Sequence, residues 1–199
     1  MSGITVKVNG APIATIDLAP LEVMDVSIHG ALDLDPKARL HSGSTHRIEG
    51  GYGHLIWIAE QSLLPGDVLS VQLDASCGDS DRGRTIDEVY PPVEGEKPFT
   101  KDDLAIDEDT IAQLRARPRL HDAFLVRVET SSGEQATAAS DDLHTDFSFT
   151  LLWDSFRPDQ ARIRLATYCL DDVQHRTGGT THLKTMLAVG DSATFVLVR

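Results

Sequence analysis

Two stretches of this chain carry the same ordered set of strand and turn signals, and that repeat limits the folds open to it more than any other feature. Val6 and Val8 in ITVKVNG match Val126 and Val128 in FLVRVET, and Ala14-Thr15 matches Ala136-Thr137. Val26-Ser27-Ile28 answers to Phe147-Ser148-Phe149, and HRIEGGYGHL (46–55) answers to HRTGGTTHL (175–183). Each stretch closes on Gly-Asp before a strand, Gly66-Asp67 ahead of VLSVQL and Gly190-Asp191 ahead of SATFVLV. Internal self-similarity of this kind decides architecture before any local signal does. The expectation is an internal duplication: a first β unit over 1–75, an acidic linker over 76–121 and a second β unit over 122–199.

Period-two alternation dominates both units. Ile4, Val6 and Val8 fall on one face, and the pattern resumes over Ala11 to Leu18 after the Asn9-Gly10 turn signal, which predicts a hairpin. Further strands are expected at Val23 to His29, His54 to Ala59, Val68 to Leu73, Ala123 to Glu129, Asp146 to Trp153, Ala161 to Cys169 and Ala193 to Val198. Many short strands separated by turns predict an all-β fold, two related antiparallel β-sandwich-like units. Between the units, Gly78 to Pro98 reads as an exposed connection rich in Gly, Pro and acidic residues. One short helix is expected after it, with an N-cap and acidic first turn at Asp107-Glu108-Asp109-Thr110, apolar Ile111 and Leu114, and Arg115 and Arg117 before Pro118.

The net charge of −13 is spread evenly, −5 over 1–75 and −4 over each of 76–121 and 122–199. A chain acidic in every segment lacks the electrostatic term behind non-specific nucleic-acid affinity, so DNA and RNA are excluded as expected partners. Cys77 and Cys169 show no CxxC and no zinc spacing, and both are expected to be reduced. MSGITVKVNG enters a strand pattern directly, with no basic n-region, no apolar h-region and no membrane-length apolar stretch. The expected location is cytoplasmic.

The paired HR/GG/HL segments are the sharpest local signal. A two-residue turn at Gly178-Gly179 would set His175 opposite His182, and a three-residue loop Glu49-Gly50-Gly51 would set His46 opposite His54. Four histidines, His46, His54, His175 and His182, are thus the metal candidates, with His41 and Asp172 nearby. A catalytic zinc typically takes three protein ligands, and the sequence names no third for either pair. The other readings are ordinary hairpin packing and a pH-responsive pair near the usual histidine pKa of about 6.5. No cofactor is implied.

Other chemistry finds little footing. Asp79-Ser80-Asp81-Arg82-Gly83 with Asp87-Glu88 alternates carboxylates like a calcium loop but fails the EF-hand spacing, which leaves a mobile acidic loop as the plainer reading. There is no G-x-S-x-G elbow, no Walker loop and no G-x-G-x-x-G, and Cys77-Gly78 has no signature tying it to a histidine. Trp57 in HLIWIA and Trp153 in FTLLWDSF read as core anchors, with sugar stacking on a concave face as the alternative.

The ITVKVNG start, the Gly-Gly then His-Leu-x-Trp run ending at Trp57, and the Leu63 to Asp67 entry to a strand together resemble a group of small bacterial β-rich proteins of unknown function. The resemblance covers about the first 75 residues and, more faintly, the second unit, where Lys184-Thr185 replaces the Ile56-Trp57 step. It implies no activity. Composition and charge point to a non-enzymatic protein-binding module with a basic protein partner, an acidic inhibitor or immunity-type protein being the specific case. Pairing of exposed strand edges makes a homodimer the expected self-association. The runner-up is a metal-dependent enzyme or small-molecule binder using the His46/His54 and His175/His182 hairpins.

Overall fold

The Asn9-Gly10 signal makes the turn expected of it. Asn9 (φ 52°) and Gly10 (φ 81°) both take positive φ, the requirement of a type I′ connection, and join β1 (Gly3–Val8) to β2 (Ala11–Asp17). The computed structural model describes residues 2–43, 47–48, 51–93, 95 and 108–198. The remaining elements run, in chain order, β3 (Val23–Ala31), β4 (Leu34–Gly43), β5 (Arg47–Ile48), β6 (Gly51–Tyr52), β7 (Leu55–Ser62), β8 (Val68–Asp74), β9 (Arg84–Thr85), α1 (Ile86–Val89), α2 (Glu108–Arg115), β10 (Leu125–Thr130), β11 (Gln135–Ala139), β12 (Asp146–Asp154), β13 (Gln160–Tyr168), α3 (Leu170–His175), β14 (Thr180–Ala188) and β15 (Ser192–Leu197).

Two antiparallel sheets face each other. The back sheet has six strands in the order β11-β10-β15-β8-β1-β2, and the front sheet seven in the order β14-β13-β12-β3-β4-β7-β9, with β5 and β6 paired apart from both. Both orders read nearly the same from either end once each strand is replaced by its counterpart in the other half. A pseudo-two-fold axis therefore relates the halves. Ile28 sits opposite Phe149, and Ser70 opposite Thr194, each residue facing the position the repeat equates with it.

The hydrogen bonds repeat the symmetry. Gly66 N–H donates to the Leu197 carbonyl and Leu197 N–H to that of Asp67, while Gly190 N–H donates to Leu73 and Leu73 N–H to Asp191. Gly66 (φ 93°) and Gly190 (φ 97°) share the left-handed conformation this needs. Such reciprocity is the mark of an isologous contact, here within one chain.

Because the halves meet strand to strand in both sheets, they bury one core. Val6, Val26, Leu40 and Leu73 of the first half pack in the same cluster as Val128, Phe149, Leu165 and Phe195 of the second. Phe195 contacts the rings of Phe147 and Phe149 at centroid distances of 5.9 and 5.7 Å. Each such ring stabilises the fold by roughly 1.5–3 kcal/mol on burial.

Helix α2 forms where a helix was expected and buries Ile111, with Asp107 outside the described residues. Arg115 ties α2 to α3 through Asp171 at 2.6 Å. Strand β4 exceeds the expectation. Its buried positions Pro36, Ala38, Leu40 and Ser42 alternate correctly, but only Leu40 is a large apolar residue of the kind that announces a strand.

Candidate functional site

The hairpin expected at Gly178-Gly179 does not form. Residues 170–175 are helical: Cys169 N–H donates to the Asp172 carboxylate, Asp171 and Asp172 lie in the first turn, and Arg176 closes the helix in the left-handed region at φ 55°. Gly178 and Gly179 turn the chain from that helix into β14, which pairs with β13 and not with 175–177. His175 consequently bonds the Asp171 carbonyl at 2.9 Å, while His182 shares a 2.8 Å hydrogen bond with Thr167 Oγ1. They are not a cross-strand pair.

In the first half, β5 and β6 pair Arg47 with Tyr52 and Ile48 with Gly51. That register is one step off the one that opposes His46 to His54. His46 itself lies outside the described residues. The ring beside His54 is that of His41, 5.2 Å away between centroids, and His41 Nε2 stands 3.4 Å from Asp25 Oδ1. Burial, then the neighbouring His41, lowers the His54 pKa from its usual value. Among the described residues no three His, Cys, Asp or Glu side chains gather closely enough to hold a metal ion.

The acidic loop is also engaged. Asp81 accepts from Thr15 N–H at 2.7 Å and returns its own N–H to the Thr15 carbonyl, so with Ser80 it covers the edge of β2. Glu88 completes a capping box with Thr85. Trp153 is 2% exposed and donates to the Pro158 carbonyl, as a core anchor should, and the partly buried Trp57 donates to that of Asp81. Cys77 and Cys169 are free thiols, and burial followed by Asp17 and Asp74 raises the pKa of Cys77.

What the fold does assemble is a row of cations and hydroxyls on the open face of the front sheet. Ser27 lies between Arg39 and Thr150 in neighbouring strands, Thr150 faces Arg164, and Arg164 faces Lys184. The inward alternates Val26, Ile28, Leu151, Ile163 and Leu165 are fully buried, which turns this row outward. One rung away stand Lys37, His29 and Ser148, and on the other side His41, Asp25 and Arg162.

The cations differ in what holds them. Lys37 and Arg39 both pair with Glu60, at 2.5 and 2.9 Å, and Arg162 reaches Asp154 at 3.4 Å. Arg164 is bonded to neutral groups: its Nη2 donates to the Gly178 carbonyl at 2.8 Å and to Thr181 Oγ1 at 3.1 Å. Among the described residues neither Arg164 nor Lys184 makes an ion pair. An arginine fixed by a hydroxyl and a carbonyl keeps its charge uncompensated and its fork oriented.

Two hollows flank Arg164. One of about 500 Å³ is lined by Thr150, Leu152, Arg162, Lys184 and Met186 as well. The other, about 350 Å³, adds His29, Ser148, Tyr168, Asp172 and Arg176. Burial lowers the pKa of His29, with Asp25 opposing and Arg39 and His41 assisting, so its imidazole is neutral at neutral pH. Burial and then Asp146 push the Tyr168 hydroxyl up to about 12, keeping it a donor. This face offers fixed cationic and hydroxyl donors beside apolar surface, the chemistry that receives carboxylates.

A second constellation joins Asp141, His144 and Thr180. Nδ1 of His144 lies 3.0 Å from Asp141 and Nε2 3.0 Å from Thr180 Oγ1. Asp141 also accepts the Leu143 and His144 amides, which makes this an Asx turn that pins the start of β14.

Segment sums of charge concealed the cationic row, because they average over both faces of a strand. The available signal was Arg162 and Arg164 two residues apart in ARIRLAT, a spacing that puts both on one face. Comparison with family models, with curated proteins and with solved structures returns no match.

Proposed function

We propose that this protein is a non-catalytic binding module that presents the open face of its front sheet to a partner protein carrying carboxylates. The observation that carries the reading is the pair Arg164 and Lys184, cations without ion-pair partners among the described residues, in a chain of net charge −13. Thirty-one acidic residues are available to neutralise eighteen basic ones, yet Arg164, which lines both hollows, and Lys184, which lines the first, have no carboxylate partner among the described residues. Charge on such a surface steers a partner of opposite sign and sets its register. This reading differs from the basic partner drawn from net charge in weighing the local surface that a partner meets. The pseudo-two-fold relation supports a further part of the proposal: the halves descend from one β unit, and binding developed on the half that carries Arg164.

The test is calorimetric titration with a short poly-glutamate peptide at low and high salt. Wild type should bind at low salt and lose the peptide at high salt. R164E/K184E should abolish binding. K7E/R127E, which makes the same charge change on the back sheet, should not. Equal binding by both double variants would refute the assignment of the face.

A further inference from the structure

Sheet edges attract strands, and natural sheets cover or blunt them. Three places along the rims of these sheets can be compared directly. The edge of β2 is covered by Ser80 and Asp81. The outer side of β7 is taken by β9, pairing Leu55 with Thr85 and Ile56 with Arg84, and by α1 packed beside it. Strand β14 holds the place in the second half that β7 holds in the first, and no strand lies on its outer side among the described residues. It is nine residues long, and His182, Lys184 and Met186 are exposed on it.

We propose that β14 takes an extended acidic segment of the partner protein as an added strand, an inference that rests on the reading of the front face given above. Main-chain hydrogen bonds to the free edge would supply affinity, and side chains at alternate positions the selectivity. A carboxylate directly across from Lys184 would stand within cross-strand reach, about 5 Å between Cβ atoms, with Arg164 one strand further in. Met186, 37% exposed at the rim of the larger hollow, gives an apolar neighbour a place to rest. A second copy of the chain fits less well: antiparallel pairing of two β14 strands about their middle residue sets Lys184 against Lys184, and like charges directly opposite destabilise a sheet.

The experiment is hydrogen exchange on the full chain with a capped peptide of alternating glutamate and valine. The expected result is slowed exchange at alternate amides of 180–188, with binding weakened about fivefold or more by K184E, an exposed substitution that leaves the core untouched. Binding that protects only residues away from β14 would overturn strand addition while leaving the front-face reading in place. No binding would overturn both. Concentration-dependent protection of β14 in the protein alone, with a dimer in sedimentation, would overturn the proposal in favour of a second copy.

Discussion

Single side chains set how this protein responds to pH. Glu134 accepts from Thr130 and Ser132 at 2.6 Å each and from Thr185 at 3.2 Å, linking the β10–β11 turn to β14 across the sandwich. Those hydroxyls, Ser132 first, hold its pKa down at about 2 against a usual 4.5. A depressed carboxylate contributes stability that is present above its unfolded pKa and is lost as pH falls toward the folded one. E134Q should therefore be less stable than wild type at neutral pH, with the gap closing between pH 4.5 and about 2, as read by urea denaturation across pH. His29 works in the same direction by another cause. Burial lowers its pKa from 6.5, so the unfolded chain takes up the proton first and stability drops as pH falls below 6.5. H29Q should remove that part of the loss, and an unchanged pH profile would show that His29 is not desolvated.

At the scale of elements, the turn into β14 holds the most tightly constrained glycine among the described residues. Gly179 sits at φ 63°, and a Cβ there would meet the Thr167 carbonyl oxygen at 2.2 Å. Gly179→Ala should destabilise by roughly 2–3 kcal/mol in equilibrium denaturation, combining left-handed strain with displaced backbone. Gly10→Ala, at φ 81° with nothing within 4 Å, should cost only about 1 kcal/mol. The comparison separates steric contact from conformational strain.

The elements also show what was legible in the chain. β1, β2, β8, β12 and β15 announce themselves by alternating apolar residues, and the Asn-Gly turn by its own chemistry. Strand β4 hides because its inward side chains are Pro36, Ala38, Leu40 and Ser42. Helix α3 hides because HRTGGTTHL carries hairpin signals, which the capping of Cys169 by Asp172 and the pairing of β14 with β13 override. Sequence likeness misled there in a specific way. The ladder equates Lys37, opposite Ser62, with Arg164, opposite Lys184, so the matching His-Leu steps at 54–55 and 182–183 hold different places in the sheet. The candidate site was least legible, since its row crosses five strands drawn from both halves of the chain.

For the molecule as a whole, one shared core predicts one unfolding event. Trp57 reports on the first half and Trp153 on the second, so W57F and W153F each leave a single reporter in one half. Both should follow urea unfolding with the same midpoint after correction for the substitution, as two-state behaviour requires. Two separated transitions would mean that the halves fold as independent domains. Phe195→Ala, at the meeting of the halves and 0% exposed, should lower stability by about 3–5 kcal/mol for both reporters alike.

The symmetry of that shared core leaves the front sheet asymmetric in its charges, with Lys37 and Arg39 paired to Glu60 while Arg164 and Lys184 make no ion pair among the described residues. The claim that this end of the sheet meets the partner is tested most directly by capture from lysate of the source organism. Wild type, R164E/K184E and K7E/R127E would be compared side by side at low and high salt. One stoichiometric acidic protein is expected to be held by wild type and by K7E/R127E, released at high salt and missed by R164E/K184E. The same protein retained by R164E/K184E at wild-type levels would contradict that claim.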